Sequence, residues 1–236
     1  MLDFTIETRK STVSKRKRYT GATDMIDKIK QARENSKKRK FNQTFDLIIN
    51  LRALDLKKPE NRINSEFVLP AGKGKEPKVG IFADVLGEKA RAEKIDLIIT
   101  KAELNTLAGD KKKMKKYANQ VDFFFGEAPL MPFIGKTLGT ILGPRDKVPK
   151  PIPPTADLKP FLMATKKTIK IRIRESPVIQ VAVGTEEMKD DDIAKNSDAV
   201  LNFVRDKMPK GRTNIKNAYI KLTMGKPIKL DLTQLK

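Results

Sequence analysis

Three short apolar runs in the middle of the chain, Val79 to Ala83, Ile95 to Thr100 and Val121 to Phe125, lack the alternation of a half-exposed strand. Each is followed by a stretch of helical character, at about Val85 to Glu93, Lys101 to Tyr117 and Pro129 to Leu142. Strands that read as continuous apolar runs are buried on both faces, which requires helices above and below them. Strand alternating with helix then implies a parallel sheet joined by right-handed crossovers. Residues 70–151 are therefore expected to form a self-contained, three-layer, Rossmann-like α/β domain. Its borders are rich in Pro and Gly: Leu69-Pro70-Ala71-Gly72-Lys73-Gly74 on one side, Gly143-Pro144 through Pro153-Pro154 on the other. Such clusters have the composition of hinges, so Leu69, Pro70, Pro149 and Pro151 are expected to mark a double hinge.

The flanks follow another pattern. Thr44 to Leu54 alternates Phe45, Leu47, Ile49 and Leu51 against Asp46, Asn50 and Arg52, the period of a strand buried on one face. Ahead of it, Thr23 reads as the N-cap of a helix to about Arg39, with Ile26, Ile29, Ala32 and Arg33 on a narrow stripe and a basic opposite face. Beyond the second cluster come strands at Thr168 to Glu175 and Val178 to Gly184, a helix at Asp190 to Met208, and a strand region from Asn214 through Leu230 broken at Met224-Gly225-Lys226. Neither flank closes a core alone. Residues 22–69 and 152–236 are expected to fold together as one α+β composite domain with split βαβ elements, the middle domain being inserted between them. Residues 1–21 carry Arg9, Lys10, Lys15, Arg16, Lys17 and Arg18 and read as a basic N-terminal extension.

Charge narrows the partner. Fifty Lys and Arg against 29 Asp and Glu leave the 236 residues at +21. An excess of this size is tolerated when a polyanion neutralises it, and phosphate backbones are the commonest such partner. The chain has neither histidine nor cysteine. That removes Ser-His-Asp and Cys-His nucleophiles, Cys/His zinc sites and any imidazole titrating near neutral pH. Nucleic-acid binding without catalysis, cofactor or metal is the expectation. Without cysteine there is no disulfide scaffold, which fits a reducing compartment. No apolar stretch approaches the roughly 18 residues of a membrane span, and the first 20 residues lack a signal peptide's apolar region, so a cytoplasmic protein with no membrane partner is expected. Glu186, Glu187, Asp190, Asp191 and Asp192 are expected to face away from phosphate.

Gly135-Lys136-Thr137 invites a nucleotide-binding reading, but the first glycine of a phosphate loop would fall on Leu130. Carboxylates such as Glu175 and Asp46 stand on alternating strands with nothing to pair them for acid-base work. The Lys111 to Lys116 run fits a solvated helix face, and Gly72-Lys73-Gly74-Lys75 the solvated mouth of a hinge. Two elements carry more. Lys37-Lys38-Arg39-Lys40-Phe41-Asn42-Gln43-Thr44 sets an aromatic, amides and a hydroxyl beside four cations, a mixture suited to folded or single-stranded RNA. On residue types alone, Phe41 fits a core or staple position better than a stacking ring. Lys221-Leu222-Thr223-Met224-Gly225-Lys226-Pro227 is a turn where glycine admits a close backbone approach, although an ordinary hairpin reads the same way.

These two elements, with Lys57 to Gly74, Gly135 to Pro149 and Pro177 to Gly184, resemble the large-subunit ribosomal protein family that forms the mobile ribosomal stalk, in its archaeal and eukaryotic-type form. Thr223-Met224-Gly225 after a strand, together with Leu142-Gly143-Pro144-Arg145, is specific in combination. The resemblance implies a composite first domain and an inserted α/β second domain. It implies a structural constituent of the large subunit that binds ribosomal RNA, assists movement and release of exit-site tRNA, and represses translation through its own mRNA. Outside the ribosome a monomer is expected. Carried over by position, the RNA-binding residues are Lys40, Phe41 and Thr44, then Lys216 and Asn217, then Thr223, Met224 and Gly225; by charge alone, Lys37 and Lys38 are expected to meet phosphate. Asn217 stands where many members have serine. Competing readings are a non-ribosomal RNA-binding repressor or chaperone and, further off, an NTPase in the middle domain.

Overall fold

The computed structural model describes residues 21–58, 61–173 and 175–232. The basic extension expected over 1–21 lies outside them except for Gly21.

Helix α1 (Gly21–Glu34) begins before Thr23, which lies inside it, and ends well short of Arg39. Strand β1 (Thr44–Leu51) alternates as its sequence demands: Phe45, Leu47, Ile49 and Leu51 are buried. Its two neighbours come from the far end of the chain. Antiparallel β8 (Val178–Thr185) lies on one side and β9 (Ile215–Leu222) on the other, with β10 (Ile228–Leu230) outside β9. The inward residues meet α1 and α7 (Asp190–Lys207), which contribute Met25, Ile29 and Ala32, and Ile193, Val200, Leu201 and Val204. Fully burying each of these side chains except that of Ala32 is worth about 1.5–3 kcal/mol. Helix α7 also opens on Asp190, Asp191 and Asp192 and closes on Arg205 and Lys207, charges that complement its dipole.

The middle of the chain forms a second, parallel sheet of order β4-β3-β5-β6, from β3 (Val79–Phe82), β4 (Leu97–Ile99), β5 (Phe123–Glu127) and β6 (Lys150–Ile152). Every residue of β3 and β5 is buried, so both faces are covered. One apolar cluster packs Phe82, Phe124 and Ile99 against α3 (Lys101–Gly109), α4 (Lys111–Gln120) and α5 (Met131–Leu142). Another, on the opposite face, packs Ile81, Phe125 and Ile152 against α2 (Gly87–Ala92) and α6 (Leu158–Lys167). The architecture is thus mixed α/β with one antiparallel and one parallel unit, as the patterning predicts. Gly80 is required by this packing: a Cβ there would lie 2.8 Å from Phe124 Cε1, inside contact distance.

Four features depart from expectation. The single helix expected over Lys101 to Tyr117 is two, because Asp110 caps a new start by accepting from Lys112 N and Lys113 N at 3.1 Å each. A further two-stranded ribbon, β2 (Asn64–Val68) with β7 (Thr168–Arg172), packs its inner face on the composite core through Phe67, Ile169 and Ile171. The expected hinges are displaced. Leu69 is fully buried in the composite core, and buried Asn196 holds the following turn by accepting from Ala71 N (3.0 Å) and donating to Gly72 O (2.8 Å). The Gly72 turn is therefore anchored rather than a solvated mouth, and the first crossing falls at 73–78. Pro151 lies inside β6, paired with Gly126, and Pro149 is buried, so neither is free to pivot. Helix α6, unrecognised in the sequence because Pro153, Pro154 and Pro160 surround its start, packs Leu158 and Leu162 into the parallel unit. The return crossing lies beyond it, near Lys167, not at 151.

Candidate nucleic-acid interface

With α1 and α7 on one face of the antiparallel sheet, the other face carries partly exposed side chains. On β1 these are Thr44, Asp46, Ile48 and Asn50, and on β9 Asn217, Tyr219 and Lys221. The register sets Asp46 opposite Lys221, Ile48 between Tyr219 and Gln180, and Asn50 opposite Asn217. Burial raises the pKa of Asp46, an effect that Lys221 only partly offsets. The surface is mostly polar, sets the carboxylate of Asp46 beside the ammonium of Lys221, and has a tyrosine ring at its middle.

At one end of this face the two sequence elements meet. Thr44 and Thr223, distant in the chain, close a reciprocal knot. Thr44 N donates to Thr223 Oγ1 (3.2 Å), while Thr223 Oγ1 and Thr223 N both donate to Thr44 O (3.1 and 3.0 Å). The Thr223 hydroxyl therefore has its proton committed and one lone pair left to accept from an incoming ribose hydroxyl. Gly225 N donates to Leu222 O (2.8 Å) to close the turn, and a Cβ on Gly225 would press on Leu222 at 3.3 Å. Phe41 is 54% exposed and Met224 59%. Phe41 is thus no core or staple residue: the chain leaves α1 before reaching it, and only from Gln43 does the strand turn alternate residues inward. Lys37, Lys38 and Lys40 are exposed in the same loop, and none of them is in an ion pair among the described residues.

Gln43, to which composition alone assigns no role, joins these parts. It is 1% exposed, on the inward side of the β1 alternation extended back by one step. Its Nε2 donates to Ser36 Oγ (3.2 Å) and Lys37 O (3.5 Å), and its Oε1 accepts from Met224 N (3.2 Å). One amide thereby ties the basic loop to the Thr223-Met224-Gly225 turn. The alternation was the available signal: it puts a polar side chain at an inward position, where partners become obligatory.

Lys216 and Asn217 do not join that cluster. They lie at the other end of β9, about 20 Å away at some 3.3 Å per strand residue. The candidate residues thus divide between the two ends of the face. Asp190, Asp191 and Asp192 open α7, which packs on the sheet face opposite the open one. Glu186 N donates to Gln43 O (2.9 Å), and Arg33 reaches Asp190 Oδ1 (2.8 Å), Glu186 O (2.6 Å) and Met188 O (2.8 Å). Glu186 thus fastens the basic loop at Gln43, while Asp190 holds the last turn of α1 through Arg33.

The middle domain offers no phosphate cradle. Gly135-Lys136-Thr137 lies within α5, where Thr137 Oγ1 donates to Phe133 O (2.8 Å), and not in a loop after a strand. In an open α/β sheet the ligand crevice falls where strand order reverses, here at the carboxyl ends of β3 and β5. Glu127, 2% exposed, fills it by accepting from Asp84 N (2.8 Å) and Leu86 N (2.7 Å). Among the described residues no group of carboxylates is placed to hold a metal ion, and no helix is long and apolar enough to cross a membrane.

Residues 29–226 match the model of the ribosomal protein L1p/L10e family. The chain is similar to "Large ribosomal subunit protein uL1" of Methanobrevibacter smithii, 46% identical over 205 residues that cover 86% of this chain and 96% of the relative. The proteins of the same name from Methanothermococcus thermolithotrophicus and Methanocaldococcus jannaschii are each 46% identical, covering 88% and 87% of this chain and 98% and 94% of theirs.

Proposed function

Because the chain belongs to the ribosomal protein L1p/L10e family, we propose that the open face of its composite domain holds a folded segment of large-subunit ribosomal RNA. The protein is then a structural constituent of the large ribosomal subunit, working in the cytoplasm as part of the ribosome and not as an enzyme. The observation that carries this reading is the end of the sheet, where exposed Phe41 and Met224 flank the Thr44-Thr223 knot inside a rim of exposed lysines. Lysines fix the register on phosphates, while Phe41, Met224, Thr223 and Asn217 meet bases and ribose hydroxyls, which carry the selectivity. Two finer roles follow from the same surface: movement and release of exit-site tRNA, and repression through a similar fold in its own mRNA. Each needs only RNA presented at the same face by a protein that is monomeric when free.

Thr223→Ala tests the site. It should weaken binding to large-subunit ribosomal RNA by about 1–3 kcal/mol, the cost of leaving a buried polar partner unmatched. The slope of affinity against salt should not change, since every cation that meets phosphate remains. Unchanged affinity in a filter-binding titration would remove the assignment. Crosslinking to total cellular RNA should recover ribosomal RNA, and recovery of messenger alone would place the protein off the ribosome.

A further inference from the structure

The β2-β7 ribbon has an outer face that meets the parallel unit through charges. Lys150 pairs with Glu66, Lys170 Nζ donates to Asp146 O, and Arg172 Nη1 pairs with the Asp146 carboxylate. Arg172 Nη1 is buried, and Asp146 is its charge partner in the described structure. Lys150 and Lys170 also stand 5.9 and 5.3 Å from the Phe123 ring centroid. Cations outnumber anions here. With Arg145 and Lys147 there are five against Glu66 and Asp146; the Lys147 ammonium is held by Ala118 O and Val121 O, while Arg145 gives only Nη1 to Ile141 O (3.1 Å).

Beside this latch lies a cavity of about 470 Å³ whose lining includes Arg145, Asp146, Lys170, Arg172, Val178 and Gln180. Gln180 is one of the outward residues of the open sheet face, set opposite Ile48, so the cavity and the face are continuous. It adjoins the end of the face that holds Asn217, since Val178 pairs with Asn50 and Asn50 with Asn217.

We infer that this cavity is a phosphodiester site, in which Arg145, Lys170 and Arg172 take a backbone phosphate of RNA lying along the sheet face. Asp146 is its internal competitor, a carboxylate holding Arg172 until the phosphate arrives. Burial depresses the pKa of Lys170, Glu66 offsets part of that and the charges of Lys150 and Lys147 add to it, and an incoming anion relieves the remaining cost. A clustered cation excess at a junction between domains is also where anionic ligands gain most from partial desolvation. The inference rests on the RNA-binding reading of the sheet face. It adds a contact from the inserted domain and a means by which RNA loosens the latch between domains.

The test compares Arg172→Gln and Asp146→Asn in the full chain, binding large-subunit ribosomal RNA across a salt series. Arg172→Gln should lower affinity and reduce the slope of log affinity against log salt by about 0.7–1, the equivalent of one phosphate. Asp146→Asn should do the opposite and raise affinity about two- to fivefold, the range spanned by one released ion pair. A purely structural latch predicts the same sign for both, because both break one pair, and equal losses would overturn the inference. Lys170→Gln, which leaves the Asp146-Arg172 pair intact, should also lower the slope, and an unchanged slope would count against the site. Thr223→Ala run alongside separates the two failures: if it too binds as wild type does, the reading of the face fails as well.

Discussion

Replacing Gln43 by methionine isolates what its amide does. The two side chains have nearly the same length, so no cavity opens, and the loss is confined to polar terms. Gln43 makes bonds of 3.2 Å to Ser36 Oγ and Met224 N and a longer one of 3.5 Å to Lys37 O. Two sound bonds at a net 0.5–1.5 kcal/mol each put the stability loss at about 1–3 kcal/mol. The composite domain should then melt a few degrees lower, at about 2–4 °C per kcal/mol for a chain of this size. Binding should suffer separately. Once Met224 N is released, the turn and the basic loop are no longer held in one arrangement, and RNA must order them, at a cost of about tenfold in affinity. The slope against salt should stay at its wild-type value, because every lysine remains. Melting by circular dichroism and filter binding at two salt concentrations measure both effects. A variant that melts lower yet binds with wild-type affinity would refute the claim that Gln43 positions the turn.

Three further outcomes are expected. Replacing Lys37 and Lys38 together by glutamine should reduce the salt slope by up to about one unit for each phosphate no longer neutralised, with little change in melting temperature; a slope equal to wild type would take the basic loop off the RNA. Burial raises the pKa of Asp198, so the folded state disfavours its ionised form: stability is fullest below the unfolded carboxylate value and falls as pH rises through the folded one. Asp198→Asn should therefore raise the melting temperature at pH 7 and not at pH 3, and equal shifts at both would exclude a titration effect. Glu127→Ala should destabilise the parallel unit by about 2–4 kcal/mol by orphaning Asp84 N and Leu86 N, measurable by urea unfolding, without giving it affinity for nucleotide.

The architecture was legible because its two patterns have different periods. Unalternating runs such as Val121 to Phe125 announce strands covered on both sides, and Phe45 to Leu51 announces one covered on one side. What failed to show were elements defined by partners and not by period. Strand β2 buries only Ser65 and Phe67, and those in part, so its pattern stands out little, and β6 contains a proline that the sheet edge tolerates. Within the site, Thr223-Met224-Gly225 and the Lys37 to Thr44 loop were visible as composition. Their joining was not, because it depends on Gln43 and Glu186, ordinary residues until a register brings them together. Residue type alone misplaces Phe41 for the same reason: an aromatic among lysines reads as buried until the helix before it is seen to end at Glu34.

Strand β1 sits between β8 and β9, and that order sets a timetable for making the protein. The parallel unit, spanning about Val79 to Leu162, is built from consecutive segments and can close while the rest of the chain is still emerging. Strand β1 cannot. Both of its edges stay unpaired until residues beyond Val178 arrive, and the knot at the end of the open face waits for Thr223, 179 positions after Thr44. Closing so long a loop is slow, and an unpaired strand left waiting invites association with other chains. A face closed this way is complete only once Thr223 has been made, so any partner that reads it selects chains in which the two distant segments have already met.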